Sequence, residues 1–137
     1  MKSKLISMPL FIDLPRKTKK DKRCYLNLNA YRNWHHITSN QVKHAYAEIA
    51  FPKLEGLKID SPVMLTFTLF TPTARRIDRA NPLCIHEKFF CDAMVTAGVI
   101  VDDSDEYIHS SHYYSGGKDA ANPRVEILLE WDLEYKL

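Results

Sequence analysis

A run of strictly alternating side chains at residues 62–72, PVMLTFTLFTP, constrains the fold more than any other segment. Every second position is apolar: Val63, Leu65, Phe67 and Leu69. Side chains two positions apart lie on the same face of a β-strand, whereas a helix would scatter them around its axis. The segment therefore predicts a β-strand with two different faces.

Two helices and several further strands are predicted around this strand. The first helix begins after Ser39 as its N-cap and ends at Pro52, because apolar residues between them recur at spacings of three and four. The second runs from about Leu83 to Ala97, followed by Gly98 as a natural C′ residue. Strands are expected at 5–14, in 24–34 before a loop, at 99–101, at 107–114 and at 124–133, with a turn at 115–117. This order predicts an α/β (α+β) domain with two helices packed on one mixed sheet.

Length and composition exclude several classes of protein. A chain of 137 residues is close to the size of one domain, and 45% hydrophobic with 26% charged residues is typical of globular proteins. No run approaches the ~18 apolar residues of a membrane span. The cysteines lack the spacing of a zinc site or a disulfide framework, and Pro9 and Asp13 interrupt the apolar segment 5–14, unlike a signal peptide. We expect residues 1–137 to form one reduced, cytoplasmic domain.

Charge is distributed unevenly, although the net charge is only +2. Residues 1–79 carry 15 Lys/Arg and 6 Asp/Glu, a balance of +9, whereas residues 80–137 carry 4 and 11, a balance of −7. Six of the eight residues at 16–23, RKTKKDKR, are basic, so this run forms a solvated loop or hairpin tip. A basic surface beside an acidic cluster suits a protein that binds a polyanion and cuts it with metal ions. A dipolar surface without a specific purpose is the alternative.

Four aspartates are candidate metal ligands. Asp78 lies in a basic loop after the alternating strand, and Asp102, Asp103 and Asp105 follow the apolar run 99–101. Magnesium prefers oxygen ligands, commonly one or two carboxylates together with substrate phosphate. Adjacent carboxylates repel one another, and a bound cation would neutralise them. A solvated acidic turn is the alternative for the DDSDE segment.

Three segments together resemble the RusA family of Holliday junction resolvases. They are RRIDRAN at 75–81, KFFCDAM at 88–94 and GVIVDD at 98–103. The family carries an Arg-rich Asp-x-Asp-Asn loop, then a helix with Lys and Asp-Ala-Leu four residues on, and then Gly-x-x-x-Asp-Asp before a strand. The interval of four residues between Lys88 and Asp92 matches that pattern.

The resemblance implies a RusA-like endodeoxyribonuclease domain that depends on Mg²⁺, with Mn²⁺ as a substitute. Such an enzyme resolves Holliday junctions, which are four-way DNA junctions, by paired phosphodiester cleavage in recombination and repair. It also implies a homodimer, because two symmetric cuts require two symmetric active sites. No membrane is involved, and the source it suggests is a phage or prophage acting in the cytoplasm of a bacterial host.

The resemblance also assigns roles to individual residues. Asp78 and Asp103 would ligate magnesium, with Asp102 as a helper, and Lys88 would act as a catalytic residue near the scissile phosphate. Asp78, Lys88 and either Asp102 or Asp103 are therefore expected to converge in one cleft. For Lys88 the alternative is a surface ion pair with Asp92, four residues along the same helix.

Two departures from the family pattern concern the loop and the helix that follows it. Ala80 stands where the family has its second loop aspartate, and the gap between Asn81 and Lys88 is longer by four residues, about one helical turn. The alternatives for the missing carboxylate are replacement by Glu87, by Asn81 or by Asp92, or no replacement at all. A non-catalytic relative that binds junctions or other nucleic acids through a decayed metal site is the second hypothesis.

Basic residues near the candidate site are predicted to contact DNA phosphates. Contacts of this kind give salt-dependent affinity and little sequence information. For residues 16–23 a solvated loop without a ligand is the alternative. The predicted DNA-binding residues are Arg75, Arg76, Arg79, Lys19, Lys20, Lys22 and Arg23.

Overall fold

The computed structural model describes residues 1–132, which form six strands and three helices. In chain order these are β1 (Lys2–Met8), β2 (Phe11–Leu14), β3 (Lys22–Tyr25), α1 (Leu28–Asn33), α2 (His36–Leu54), β4 (Val63–Thr71), α3 (Ala80–Thr96), β5 (Ile108–Lys118) and β6 (Arg124–Trp131). The last strand was expected to reach residue 133, which lies outside the described residues. Among residues 1–132, no helix is long and apolar enough to cross a membrane.

A four-stranded mixed sheet in the order β1-β6-β4-β5 forms the centre of the fold. Strand β4 pairs with β6 in antiparallel orientation and with β5 in parallel orientation, and α3 provides the crossover that a parallel pair requires. The alternating side chains Val63, Leu65, Phe67 and Leu69 are all buried. The predicted α/β (α+β) class with a mixed sheet is therefore confirmed.

The two long helices contribute apolar faces to the core. Helix α2 buries Val42, Tyr46, Ala50 and Leu54, the face that the spacing predicted. Its predicted ends are wrong at both termini. The helix begins at His36, where the ring of His35 accepts a hydrogen bond from the backbone N–H of Ile37 at 3.2 Å. It also continues through Pro52, because the missing proline N–H costs only one hydrogen bond near the last turn and Leu54 becomes buried.

The expected first strand, 5–14, is in fact two strands. Strand β1 pairs with β6 in the large sheet, whereas β2 pairs with β3 in a separate antiparallel hairpin. Pro9 lies between them and cannot donate to a ladder, which explains the break. The hairpin confirms that the basic run 16–23 surrounds a tip. The expected loop that follows contains helix α1, whose first turn is capped by Asn27 at 2.8 Å from the N–H of Ala30.

Three further expectations around the third helix and β5 are wrong. Helix α3 begins at Ala80, three residues earlier than predicted. Residues 99–101 form no strand, since Val99 follows the left-handed Gly98 (φ 76°) and its carbonyl accepts a hydrogen bond from Ile59 at 2.9 Å. The predicted turn at 115–117 lies within β5. Gly116 fits there because a Cβ would lie 2.5 Å from the Phe70 ring.

Candidate active site

A cavity of about 490 Å³ opens between α3 and the start of β5. Helix α3 contributes Glu87, Lys88 and Cys91 to its wall, and the loop after the helix contributes Asp103 and Asp105. We call this the acidic cavity. Two residues of the predicted set, Lys88 and Asp103, therefore lie in one cavity although 15 positions separate them.

Helix periodicity and one glycine bring these side chains together. Glu87, Lys88 and Cys91 lie within one turn of α3, where residues three and four apart share a face. Gly98, with its positive φ of 76°, then reverses the chain. The backbone N–H of Val99 donates to the carbonyl of Met94 at 2.9 Å, which holds the reversal. The following acidic loop is consequently directed back toward the middle of the helix.

Glu87 is held in the acidic cavity by a side chain from the sheet. The hydroxyl of Tyr113, on β5, donates a hydrogen bond to Oε1 of Glu87. Burial, together with the hydrogen bond and the charge of Glu87, raises the pKa of Tyr113. The phenol therefore remains a donor near neutral pH and orients the carboxylate.

The charges around Cys91 show the electrostatic character of the acidic cavity. Burial is the main effect that raises the pKa of the Cys91 thiol to about 12, and the negative charges of Glu87, Asp103 and Asp92 add to it. The thiol is therefore protonated near neutral pH and is no metal ligand in this state. The same negative charges attract a cation into the cavity.

The donor chemistry of the acidic cavity fits magnesium. Its ionisable oxygen donors are the carboxylates of Glu87, Asp103 and Asp105. Within residues 1–132, no three His, Cys, Asp or Glu side chains are grouped closely enough to hold a metal ion by themselves. Magnesium commonly takes only one or two carboxylates and completes its coordination with water and substrate phosphate. The cavity therefore has the ligands for an ion that arrives with its substrate.

The three residues weighed as replacements for the carboxylate missing at Ala80 lie in different places. Glu87 lines the acidic cavity beside Asp103. Asp92 forms an ion pair with Lys43 at 3.5 Å, so the alternative pairing with Lys88 is not formed. Oδ1 of Asn81 accepts a hydrogen bond from the backbone N–H of Leu28 at 2.9 Å. Only Glu87 of the three lines the acidic cavity.

Asp78 lies apart from Lys88 and Asp103, so the predicted set is divided between two cavities. Its Oδ1 accepts a hydrogen bond from the N–H of Ala80 at 3.1 Å, just before α3. Lys88 lies eight residues further along α3 than Ala80, which is about 12 Å along the axis at ~1.5 Å per residue. Asp78 instead lines a cavity of about 500 Å³ together with Asn27 and Asn81. We call this second space the amide cavity.

Asp102, the expected helper, is exposed in the loop after α3. Its Oδ1 accepts a hydrogen bond from the backbone N–H of Asp103 at 2.9 Å. This contact uses only the backbone of Asp103, so the Asp103 carboxylate stays available to a ligand. Asp102 therefore orients the loop at the edge of the acidic cavity.

The predicted arginines line a third cavity, of about 350 Å³, beside the end of β5. Arg75, Arg76 and Arg79 are exposed there, and Lys118 joins them from the last position of the strand. Lys118 is not evident as a member of this group from the sequence, because nearly 40 positions separate it from Arg79. Only the parallel pairing of β4 with β5 brings it to this loop. We call these four residues the basic loop cluster.

The other predicted DNA contacts lie on the β2–β3 hairpin. Lys19, Lys20 and Lys22 are exposed around its tip. Arg23 is engaged within the hairpin, with two hydrogen bonds to Asp13 at 3.0 and 3.2 Å. These bonds lower the pKa of the Asp13 carboxyl. The lysines are therefore the more available cations of this segment.

No protein-family model matches the sequence, and no curated protein matches it significantly. The resemblance to RusA is carried by the segments at 75–81, 88–94 and 98–103. The last two contribute Lys88 and Asp103 to the acidic cavity.

Proposed function

We propose that the protein is a magnesium-dependent endodeoxyribonuclease that resolves Holliday junctions, with its active centre in the acidic cavity. The observation that carries the proposal is the meeting of Lys88, Asp103 and Glu87 around one opening. A cation bound by carboxylates beside a fixed ammonium group is suited to an anionic phosphodiester, which otherwise repels a nucleophile. The RusA resemblance supports the choice of a four-way junction as substrate.

The proposed metal ligands are Asp103 and Glu87, which line the acidic cavity, whereas Asp78 and Asp102, the other ligands that the resemblance implies, lie outside it. When bound, Mg²⁺ or its substitute Mn²⁺ polarises the phosphate and lowers the pKa of a bound water. Lys88 places positive charge where negative charge develops in the transition state. Tyr113 keeps the Glu87 carboxylate oriented toward the metal, as hydrogen-bonding partners of metal ligands commonly do.

DNA would be held by the basic loop cluster and by the lysines of the hairpin. Exposed cations bind phosphates without reading sequence, which suits an enzyme that recognises a branched shape. A homodimer would present two such surfaces and two active centres for the paired cuts. The proposed setting is the cytoplasm of a bacterial host, with the gene carried by a phage or prophage.

The decisive experiment compares a labelled four-way junction with a linear duplex of the same sequence. Wild type with Mg²⁺ should nick the junction at symmetric positions and leave the duplex intact. Lys88→Ala should slow cleavage by roughly 100-fold while keeping junction affinity, since it removes charge stabilisation of the transition state. Lys58→Ala, which changes an exposed lysine in the loop after α2, is the control and should cut like wild type.

The second candidate is a junction-binding relative that does not cut. It is favoured by Ala80 in place of an aspartate and by the lack of a three-ligand group within residues 1–132. Wild type that binds junctions with high affinity, yet leaves them intact in both Mg²⁺ and Mn²⁺, would establish this alternative. Cleavage in either metal would exclude it.

The DNA-binding surface has its own test in the salt dependence of affinity. Each phosphate contact contributes about −0.9 to the slope of log affinity against log salt concentration. Arg75→Ala with Arg76→Ala should therefore flatten that slope by about 1.8 if both arginines bind phosphate. Lys58→Ala should keep the wild-type slope, and an unchanged slope in the double variant would remove the two arginines from the interface.

A further inference from the structure

The amide cavity has the size and the apolar interior of a small-ligand site. Its volume of about 500 Å³ lies within the range of ~300–1,000 Å³ that such sites occupy. Buried Leu26 and Leu69 lie on its wall, together with Pro72 and the half-exposed Ile77. Apolar walls of this kind favour a flat, poorly hydrated group over a free ion.

An exposed aromatic ring stands at the amide cavity and is supported from within the hairpin. Tyr25 lines the cavity and is 53% exposed. Its ring packs edge-on against Phe11 at 5.9 Å between centroids. The guanidinium of Arg23 lies 3.8 Å from the Phe11 ring centre, and Asp13 binds that guanidinium. The Tyr25 ring is thus a fixed and accessible platform for stacking.

Two amide groups on the cavity wall have defined orientations. Oδ1 of Asn27 accepts a hydrogen bond from the N–H of Ala30 at 2.8 Å, and Oδ1 of Asn81 accepts one from Leu28 at 2.9 Å. Because both carbonyl oxygens are occupied, the amino groups are the ends left to bind a ligand. Neither amino group has a hydrogen-bond partner within residues 1–132.

Asp78 adds an acceptor to these two donors. One of its carboxylate oxygens takes the N–H of Ala80, and the carboxylate lines the same cavity as the two asparagines. Donors and an acceptor beside an apolar slot match the edge of a nucleobase, which carries both kinds of group on a planar ring.

Cations flank the amide cavity on both sides. Tyr25 ends the strand that begins with Lys22, and Ile77 lines both the amide cavity and the neighbouring cavity of Arg76 and Arg79. Phosphates bound on the two sides would bring a nucleobase between them. Since a paired base hides its faces in the duplex, only an unpaired base reaches such a platform.

We propose that the amide cavity holds one unpaired nucleobase of the bound DNA, stacked on Tyr25 and hydrogen-bonded by Asn27, Asn81 and Asp78. The choice of DNA as the polymer rests on the proposed function. The cavity adds a preference for DNA in which a base is free of its partner, beyond the phosphate contacts made by the basic residues.

The test uses a duplex with one bulged 2-aminopurine and a fully paired duplex, both without divalent metal so that no strand is cut. Tyr25→Ala should weaken binding of the bulged duplex by roughly 5- to 150-fold, the usual loss for one stacked base, and leave the paired duplex unchanged. Tyr25→Phe keeps the ring and should bind like wild type. Tyr114→Ala, which removes another exposed tyrosine, is the matched control. Binding should quench the 2-aminopurine fluorescence in wild type and not in Tyr25→Ala.

The outcomes separate this inference from the proposed function. Equal affinity of wild type and Tyr25→Ala for the bulged duplex overturns the nucleobase site, even if junctions are cut. Tyr25-dependent binding by a protein that never cuts junctions supports the site and overturns the endonuclease. Competition by free deoxynucleoside monophosphate at the oligonucleotide concentration would assign the cavity to a free nucleotide and overturn the inference. Wild type that binds neither duplex overturns the nucleobase site, whereas the proposed function is decided by the junction assay alone.

Discussion

The two cavities along α3 use polar side chains in opposite ways. At the start of the helix, oxygens of Asp78 and Asn81 accept hydrogen bonds from main-chain N–H groups. In the middle of the helix, the side chains of Lys88 and Asp103 form no ion pair or hydrogen bond with the described residues, and among these residues the Glu87 carboxylate is bound only by Tyr113. Oxygens that cap a backbone stabilise the fold, whereas charged groups left without protein partners are available to a ligand. This difference favours the acidic cavity, beside the middle of α3, as the catalytic site.

The largest expected effect is on cleavage by Asp103→Asn. An amide is a much poorer ligand than a carboxylate for a hard cation, so Mg²⁺-dependent cleavage should fall by at least about 100-fold. Junction affinity should hold or rise, because a charge that repels DNA is removed. Asp60→Asn changes an exposed carboxylate elsewhere and should cut like wild type. Full activity of Asp103→Asn would place the metal site elsewhere.

The same assay on Asp78→Asn asks whether the two cavities cooperate. Asparagine caps helices about as well as aspartate, so the free energy of unfolding should stay unchanged. Cleavage should fall less than in Asp103→Asn, because Asp78 lines the amide cavity and would act on the bound DNA rather than on the metal. Equal losses of cleavage in Asp78→Asn and Asp103→Asn would instead make Asp78 a metal ligand, as the resemblance implies.

A smaller effect is expected from Tyr113→Phe, which removes the hydrogen bond to Glu87 and keeps the ring. Partners that orient a metal ligand usually contribute roughly 10- to 100-fold to metal affinity or activity. The Mg²⁺ concentration that gives half-maximal cleavage should rise by that factor, while junction affinity stays constant. Tyr114→Phe, at the next position of β5, serves as the control. A Mg²⁺ titration identical to wild type would show that Glu87 is not a metal ligand.

Helix α3 contributes to the walls of both cavities. A histidine on its buried face predicts that the folded protein loses stability in acid. His86 is fully buried, its Nδ1 lies 3.0 Å from the Tyr46 hydroxyl, and its Nε2 has no hydrogen-bond partner within residues 1–132. Burial lowers the pKa of His86 to about 3, from 6.5. Below pH 6.5 the unfolded chain therefore binds a proton that the folded chain does not. Stability is complete above 6.5 and falls as the pH drops toward 3.

The expected fall is on the order of 1.4 kcal/mol per pH unit, or about 2 kcal/mol between neutral pH and about pH 5. Urea unfolding at the two pH values measures it, and His86→Gln should lose this part of the pH dependence. Exposed His44 is the control position, where His44→Gln should leave the dependence intact. An NMR titration of wild type gives an independent check, since a His86 ring that protonates near pH 6.5 would contradict the prediction.

Local periodicity predicted the regular part of the fold, and tertiary contacts decided the rest. The alternation of β4 and the apolar face of α2 are visible in sequence because each repeats within one element. The continuation of β5 through its two glycines depends on the Phe70 ring of a neighbouring strand. Residues 99–101 have the composition of a strand, yet the left-handed Gly98 before them directs the chain into a turn.

The candidate site was predictable to a similar extent. Motif spacing selected Lys88 and Asp103, and helix geometry together with one glycine places them in the same cavity. The hydrogen bond between Tyr113 and Glu87 joins residues 26 positions apart on different elements. No spacing rule connects the two residues, so this hydrogen bond could not be predicted without knowing that α3 packs on β5. Lys118 was missed for the same reason.

The smallest expected effect is on stability, from Asn81→Ala. This change removes the acceptor that satisfies the N–H of Leu28, and loss of a cap usually costs about 1 kcal/mol. Urea unfolding should show this decrease, whereas Asn81→Asp keeps an oxygen acceptor and should retain most of the stability. Cleavage of a saturating, fully paired junction should remain near the wild-type rate in both variants, because the residue lies outside the acidic cavity. If cleavage is instead lost in Asn81→Ala and restored in Asn81→Asp, Asn81 supplies the oxygen missing at Ala80, and the start of α3 is part of the catalytic centre.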